Sequence, residues 1–121
     1  QGGGVAKKSY LHADDISRGI LLVAEKGNLG GVYNVGADVP LSIRDVVEIT
    51  AKRMGKSLED VADIAPERVG QDSQYWLDSR KIKTLGWKQE INLNDGLQRM
   101  IDWVKKYPEL LTMDMTYRHR P

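Results

Sequence analysis

Cysteine is absent from the 121 residues. That excludes a disulfide scaffold, a zinc ribbon and a thiol nucleophile, and it fits a reducing compartment, so a cytoplasmic location is expected. Charge of one sign is also missing. Eighteen basic residues face 17 acidic ones, a net of +1, which argues against a strongly basic nucleic-acid binder and against an acidic disordered tail. No apolar run approaches the length of a membrane span; the longest, from Gly19 to Ala24, includes a glycine. There are only two histidines, His12 and His119, one near each end. No HExxH, CxxC, G-x-S-x-G or Walker A pattern occurs. Asp14–Asp15 reads as helix capping in preference to a metal pair.

What is present is an alternation of short strands and helices, the pattern of an α/β domain. The length suits one domain with a modest core. Ser9–His12 is expected as a strand, followed by a helix capped by Asp14 or Asp15 with Ile16, Gly19, Ile20 and Val23 on one face. Gly27–Gly31 stops that helix. This glycine cluster follows a helix and precedes a strand, the reverse of a dinucleotide-binding turn. Val32–Val35 and Val61–Ile64 are expected as further strands. Ser42 and Asp45 have capping-box spacing ahead of a helix carrying Ile43, Val46, Val47, Thr50 and Met54, with Gly55 at its end. Asp78 or Ser79 caps a short helix ending at Gly86. Asn92 and Asp95 open a long one with Leu93, Leu97, Met100, Ile101 and Val104 inward, ended by Pro108. The basic Arg118–His119–Arg120 is expected in a solvated tail.

The remaining chemistry lies in cationic and polar loop residues: Lys7, Lys8, Arg68, Gln71 and Arg80. Arginine offers a planar fork for phosphate oxygens, lysine a mobile point charge, and neighbouring glycines let backbone approach a ligand. These features point to an anion site.

Four stretches, in order, sharpen that reading. Gly2 to Asp15 resembles the G-x-G-x-x-x-R-x-W/Y-x-Y/H-V-x-D segment of extended short-chain dehydrogenase/reductases. Gly31–Gly36 is similar to their G-x-x-Y-N-I/V-G stretch, Pro66–Asp72 to their R-P-G-H/D-D loop, and Asp78–Trp87 to their D-x-S-K-x-x-x-x-L-G-W/F stretch. The resemblance is to the C-terminal, substrate-binding portion of NAD-dependent epimerase/dehydratases, with nucleotide-sugar 4,6-dehydratases the nearest type. UDP-sugar 4-epimerases and decarboxylases share the same segments.

The resemblance implies a small mixed domain of short strands and about four helices, spanning 1–121 as the C-terminal part of an extended Rossmann-fold enzyme. It implies that NAD and the catalytic Tyr-x-x-x-Lys pair belong to a preceding Rossmann domain. None of the five tyrosines here is followed four positions later by lysine. The glycine-rich start at Gln1 accordingly looks like the middle of a longer chain, so the segment is expected to be inactive alone. By resemblance, Arg68 and Lys8 contact the diphosphate of a nucleotide sugar. Lys8 replaces an arginine, losing its fork. Asn34 lies near the nucleotide, and Gln71 stands where dehydratases often have histidine. No metal site and no nucleic-acid or membrane partner is implied. The expected partners are the nucleotide-diphosphate sugar, the chain's own Rossmann domain and, through an uncovered apolar face, a second copy. The competing class is a non-catalytic binding module of the same fold.

Overall fold

The computed structural model describes residues 2–67, 69–70 and 72–112. Four helices and a three-stranded sheet alternate along the chain: β1 (Lys7–Lys8), α1 (Ala13–Lys26), β2 (Leu41–Ser42), α2 (Ile43–Arg53), β3 (Gln74–Tyr75), α3 (Arg80–Lys83) and α4 (Leu93–Lys106). The sheet order is β2-β1-β3. The central strand pairs antiparallel with β2, Lys7 opposite Ser42 and Lys8 opposite Leu41. It pairs parallel with β3, Lys7 opposite Gln74 and Lys8 opposite Tyr75. The α/β class and helix number agree with the expectation; the strand positions do not. Ser9–His12 follows the central strand without being part of it, and 32–35 forms no strand. Val61–Ile64 is exposed rather than paired. The amides of Val61 and Ala62 both donate to the Leu58 carbonyl, which curls the chain into a turn.

The helix starts follow from side-chain caps. The N-cap of α1 is His12, whose Nδ1 accepts the Asp14 amide at 3.1 Å. Asp14 and Asp15, expected as caps, sit in the first turn instead, where negative charge favours the helix N-terminus. Ser42 and Asp45 form the full capping box of α2, with amide-to-side-chain bonds of 3.0 and 3.1 Å. Gly55 follows that helix at φ +71°, a conformation open to glycine at little cost. Asn92 caps α4 by accepting the Asp95 amide at 2.9 Å. Ser79 is the N-cap of α3, but the side-chain oxygen that takes the Arg80 amide is Asp78 Oδ1, at 2.9 Å.

The core gathers Ala6, Ala37, Ala51, Ile82, Trp87, Ile91, Leu97 and Ile101. Burying a side chain such as Ile82 contributes about 2 kcal/mol. Helix α1 presents Asp15 and Gly19, not Ile16 and Ile20, to this core; the two isoleucines are 40% and 62% exposed. The reason is a close approach at Gly19. A Cβ there would lie 3.2 Å from the Trp87 indole nitrogen and 3.3 Å from Ile82 Cδ1. Of the α4 stripe, Leu97 and Ile101 are buried, while Met100 is half exposed.

A buried carboxylate fastens α1 to the chain ahead of α4. Asp15 is 0% exposed and accepts the amides of Glu90 at 2.9 Å and Ile91 at 3.0 Å, together with a hydrogen bond from the Arg18 guanidinium. Its own backbone carbonyl takes the Trp87 indole N–H at 3.0 Å. A single aspartate thus satisfies donors that would otherwise be lost to burial.

Candidate functional site

Alternation along β1 separates its two lysines. Lys7 is exposed, opposite Ser42, on the side of the Asp45 carboxyl. Hydrogen bonds from Ser42 hold that carboxyl below its ordinary pKa, and the charges of Lys7 and Arg44 add to the effect. Lys8 is half-buried between Leu41 and Tyr75, with Nζ 5.7 Å from the Tyr75 ring centroid. Among the described residues it makes no ion pair.

Short polar side chains sew the neighbouring loops to this strand. Ser9 Oγ accepts the Ala37 amide at 2.7 Å, and the Trp76 indole donates to the Ala37 carbonyl at 3.1 Å. Ser79 Oγ accepts the Gly36 amide at 2.7 Å and donates to the Gly36 carbonyl at 3.1 Å. The segment bearing Asn34 is therefore anchored beside the ends of β1 and β3. Asn34 itself is exposed, with no side-chain hydrogen bond to another described residue. Arg68 and Gln71 lie outside the described residues. Their loop is bracketed by fixed backbone bonds, Gly2 amide to Ala65 carbonyl at 3.1 Å and Lys7 amide to Ser73 carbonyl at 3.0 Å. The Asn34 segment thus lies past the C-terminal ends of β1 and β3, next to Lys8, whereas the chain leading into β3 enters at the opposite, N-terminal end of that parallel pair.

Arg80 belongs elsewhere. It grips Asp78 with Nε at 2.9 and 3.0 Å and Nη2 at 2.6 Å. That bond holds the Asp78 carboxyl down at about 2, from 3.8, and raises the pKa of Arg80 in turn. Lys83 pairs with Asp38. A pocket of about 420 Å³ beside Trp76 is lined by both pairs, so its cations are already neutralised.

A cleft of about 700 Å³ lies between the chain after β1 and helix α4, lined by Tyr10, His12, Val46, Leu97, Met100 and Trp103 among others. It is mainly apolar, burial raises the pKa of Tyr10 there, and neither Lys8 nor Asn34 lines it. A cleft assembled from residues 10 to 103 leaves no local pattern in a sequence. The placement of Tyr75 beside Lys8 leaves none either. Its register opposite Lys8 depends on two-residue strands that carry no periodicity. Among the described residues no cluster of three metal-ligating side chains occurs, and no helix is long and apolar enough to cross a membrane.

A lysine without an ion pair among the described residues thus stands on the central strand of a mixed α/β fold, with neighbouring loops tied to that strand. Comparison with known proteins makes the class specific. Residues 1–100 match the family model of GDP-mannose 4,6 dehydratase, and the chain belongs to that family of nucleotide-sugar dehydratases and epimerases. It is 36% identical over 108 residues to a trifunctional UDP-glucose 4,6-dehydratase/UDP-4-keto-6-deoxy-D-glucose 3,5-epimerase/UDP-4-keto-L-rhamnose-reductase of Arabidopsis thaliana, covering 89% of this chain and 16% of that protein. The fold superposes with a TM-score of 0.80 and 31% identity on dTDP-glucose 4,6-dehydratase from Streptomyces venezuelae, solved with NAD, covering 88% of this chain and 33% of that one. UDP-glucuronic acid 4-epimerase from Bacillus cereus, in complex with UDP-glucuronic acid and NAD, gives 0.76 and 29%, over 88% and 34%. The chain thus spans about a sixth of the plant relative and about a third of these solved chains.

The described residues do not fit NAD. A dinucleotide site needs a strand, a glycine turn and a helix N-terminus facing the pyrophosphate. Here Gly27–Gly31 follows α1 and leads into irregular chain, and α1 itself opens with His12, Asp14 and Asp15.

Proposed function

We propose that this chain forms the substrate-binding portion of an NAD-dependent nucleotide-sugar 4,6-dehydratase and holds the nucleotide diphosphate. The observation that supports the reading is Lys8, half-buried on the central strand without an ion-pair partner among the described residues, beside the anchored Asn34 segment. Lys8 and Arg68 supply positive charge to the diphosphate, and Asn34 and Gln71 supply hydrogen bonds to the nucleotide. Binding energy collected there, remote from the reacting carbons, positions the sugar for chemistry carried out by the rest of the complete protein, NAD included. The exposed isoleucines of α1 then pack against that remainder. The similarity to a 4-epimerase keeps epimerisation as the second reading.

The test is steady-state kinetics of the complete protein with nucleotide sugars. Arg68→Ala should raise KM about tenfold or more, the loss expected for a charge-assisted bond, while NAD affinity holds. An unchanged KM removes Arg68 from the site.

A further inference from the structure

Two adjacent lysines on one strand have opposite surroundings. Lys7 shares its side of the sheet with the Asp45 carboxyl, whose pKa its charge helps to lower. Lys8 faces an aromatic ring, 5.7 Å from Nζ to the Tyr75 centroid, and makes no ion pair among the described residues. The parallel register places Tyr75 directly across from it, so the two side chains project from the same face. Leu41 flanks Lys8 on the other side. A lysine ammonium over a ring face is held by the ring quadrupole without losing its charge. A carboxylate partner, by contrast, would cancel the charge an anionic ligand needs.

From this arrangement we infer that Tyr75 is a positioning residue for Lys8, its ring face holding the ammonium in place for the diphosphate of the nucleotide. The inference rests on the reading of Lys8 as a diphosphate ligand. It explains how a lysine, whose long stem costs conformational entropy to order, serves where a rigid guanidinium fork is absent. The ring limits the wandering of the stem before the ligand arrives, so less freedom is lost on binding. Tyr75 is 55% exposed and lies outside the core, which leaves its ring free to be changed without emptying a buried site.

The experiment is a double-mutant cycle on the complete protein, titrated calorimetrically with UDP and with dTDP. Lys8→Ala should weaken binding about tenfold or more. Tyr75→Leu should weaken it about 3- to 10-fold, from lost attraction and lost ordering together. In the Lys8→Ala background Tyr75→Leu should add nothing. Tyr75→Phe, which keeps the ring face, should restore binding to within about twofold of the parent. Should Tyr75→Leu fail to fold, as judged by NAD binding and melting, stepwise fluorination of Phe at position 75 replaces it. Fluorine drains the ring face at nearly constant shape, and binding should weaken with each step. If Lys8→Ala weakens binding but Tyr75→Leu or fluorination does not, the positioning role is overturned and the diphosphate reading stands. An equal loss from Tyr75→Leu with and without Lys8 also overturns it, placing the ring on the nucleotide itself. If Lys8→Ala binds like the parent, both fall.

Discussion

Asp15→Asn isolates the buried carboxylate that ties α1 to the 87–91 segment. The two side chains have the same shape, so no cavity forms and only the hydrogen bonding changes. Asp15 Oδ1 accepts from Glu90 and Arg18, and Oδ2 accepts from Ile91. An amide has one acceptor oxygen. If that oxygen keeps Glu90 and Arg18, its NH₂ meets the buried Ile91 amide donor to donor. If it keeps Ile91, two donors are orphaned. The first arrangement loses one buried bond, about 1–3 kcal/mol, and reduces a charge-assisted bond to Arg18 to a neutral one, about 1 kcal/mol more. A total of about 2–4 kcal/mol is a large share of the roughly 5–15 kcal/mol that holds such a domain together. For a chain of this size it should lower the melting midpoint by about 10 °C. Thermal unfolding followed by circular dichroism reads the total, and hydrogen exchange at the Glu90 and Ile91 amides reads the place. Arg18 is 39% exposed at its side chain, so Arg18→Gln should cost well under half as much. A midpoint for Asp15→Asn within about 2 °C of the parent, with protected amides at 90 and 91, would refute the reasoning.

The Ser42–Asp45 capping box gives a smaller test: Ser42→Ala should cost about 1 kcal/mol in thermal or urea unfolding, and no change would mean the box adds nothing to α2. The Asp78 carboxyl should titrate near 2 by side-chain NMR, and Arg80→Gln should return its midpoint toward 3.8. Because the folded-state pKa is depressed, the stabilisation from this pair is complete above the unfolded value near 3.8 and is lost as pH falls through 2. A midpoint that ignores Arg80 would show that the bidentate pair is not populated.

Helices were far more legible than strands. The caps at Ser42 and Asn92, and the period of Leu97 and Ile101, are local signals that survive into the fold. A two-residue strand has no period to read. Its central member is a lysine pair, held in the sheet by the backbone of β2 and β3 and not by apolar side chains. The segments 32–35 and 61–64 each carry two β-branched residues but pair with no strand among the described residues, so propensity alone misplaces them. The stripe of α1 was misread for a different reason. Gly19 lies on the expected face and admits the Trp87 ring, but Ile16 and Ile20 are exposed and Asp15 is buried because it meets three donors, which cannot be read from the helix alone. At the candidate site the residue types were readable, but the pairing of Lys8 with Tyr75 required the register.

These features share a physical origin. With strands of two residues, the sheet cannot supply the many ladder bonds that normally fix neighbouring loops. The work passes to side chains with one short polar group: Ser9 on Ala37, Ser79 on both polar atoms of Gly36, Asp15 on Glu90 and Ile91. Each reaches from one segment to another distant in sequence, and each satisfies backbone groups that the short strands leave unpaired. A hydroxyl bridge is also directional, so it sets the position of a loop and not merely its proximity. The segment carrying Asn34 is fixed through Ala37 and Gly36 by two such bridges, whereas the exposed Asn34 side chain bonds to no other described residue. Anchored backbone with an unengaged side chain is the arrangement that lowers the entropic cost of meeting a ligand, because the ordering has been done on folding. Lys8 is set against an aromatic face, with Nζ 5.7 Å from the Tyr75 ring centroid. The polar seams that replace a larger sheet therefore also fix the backbone on either side of Lys8 and Asn34.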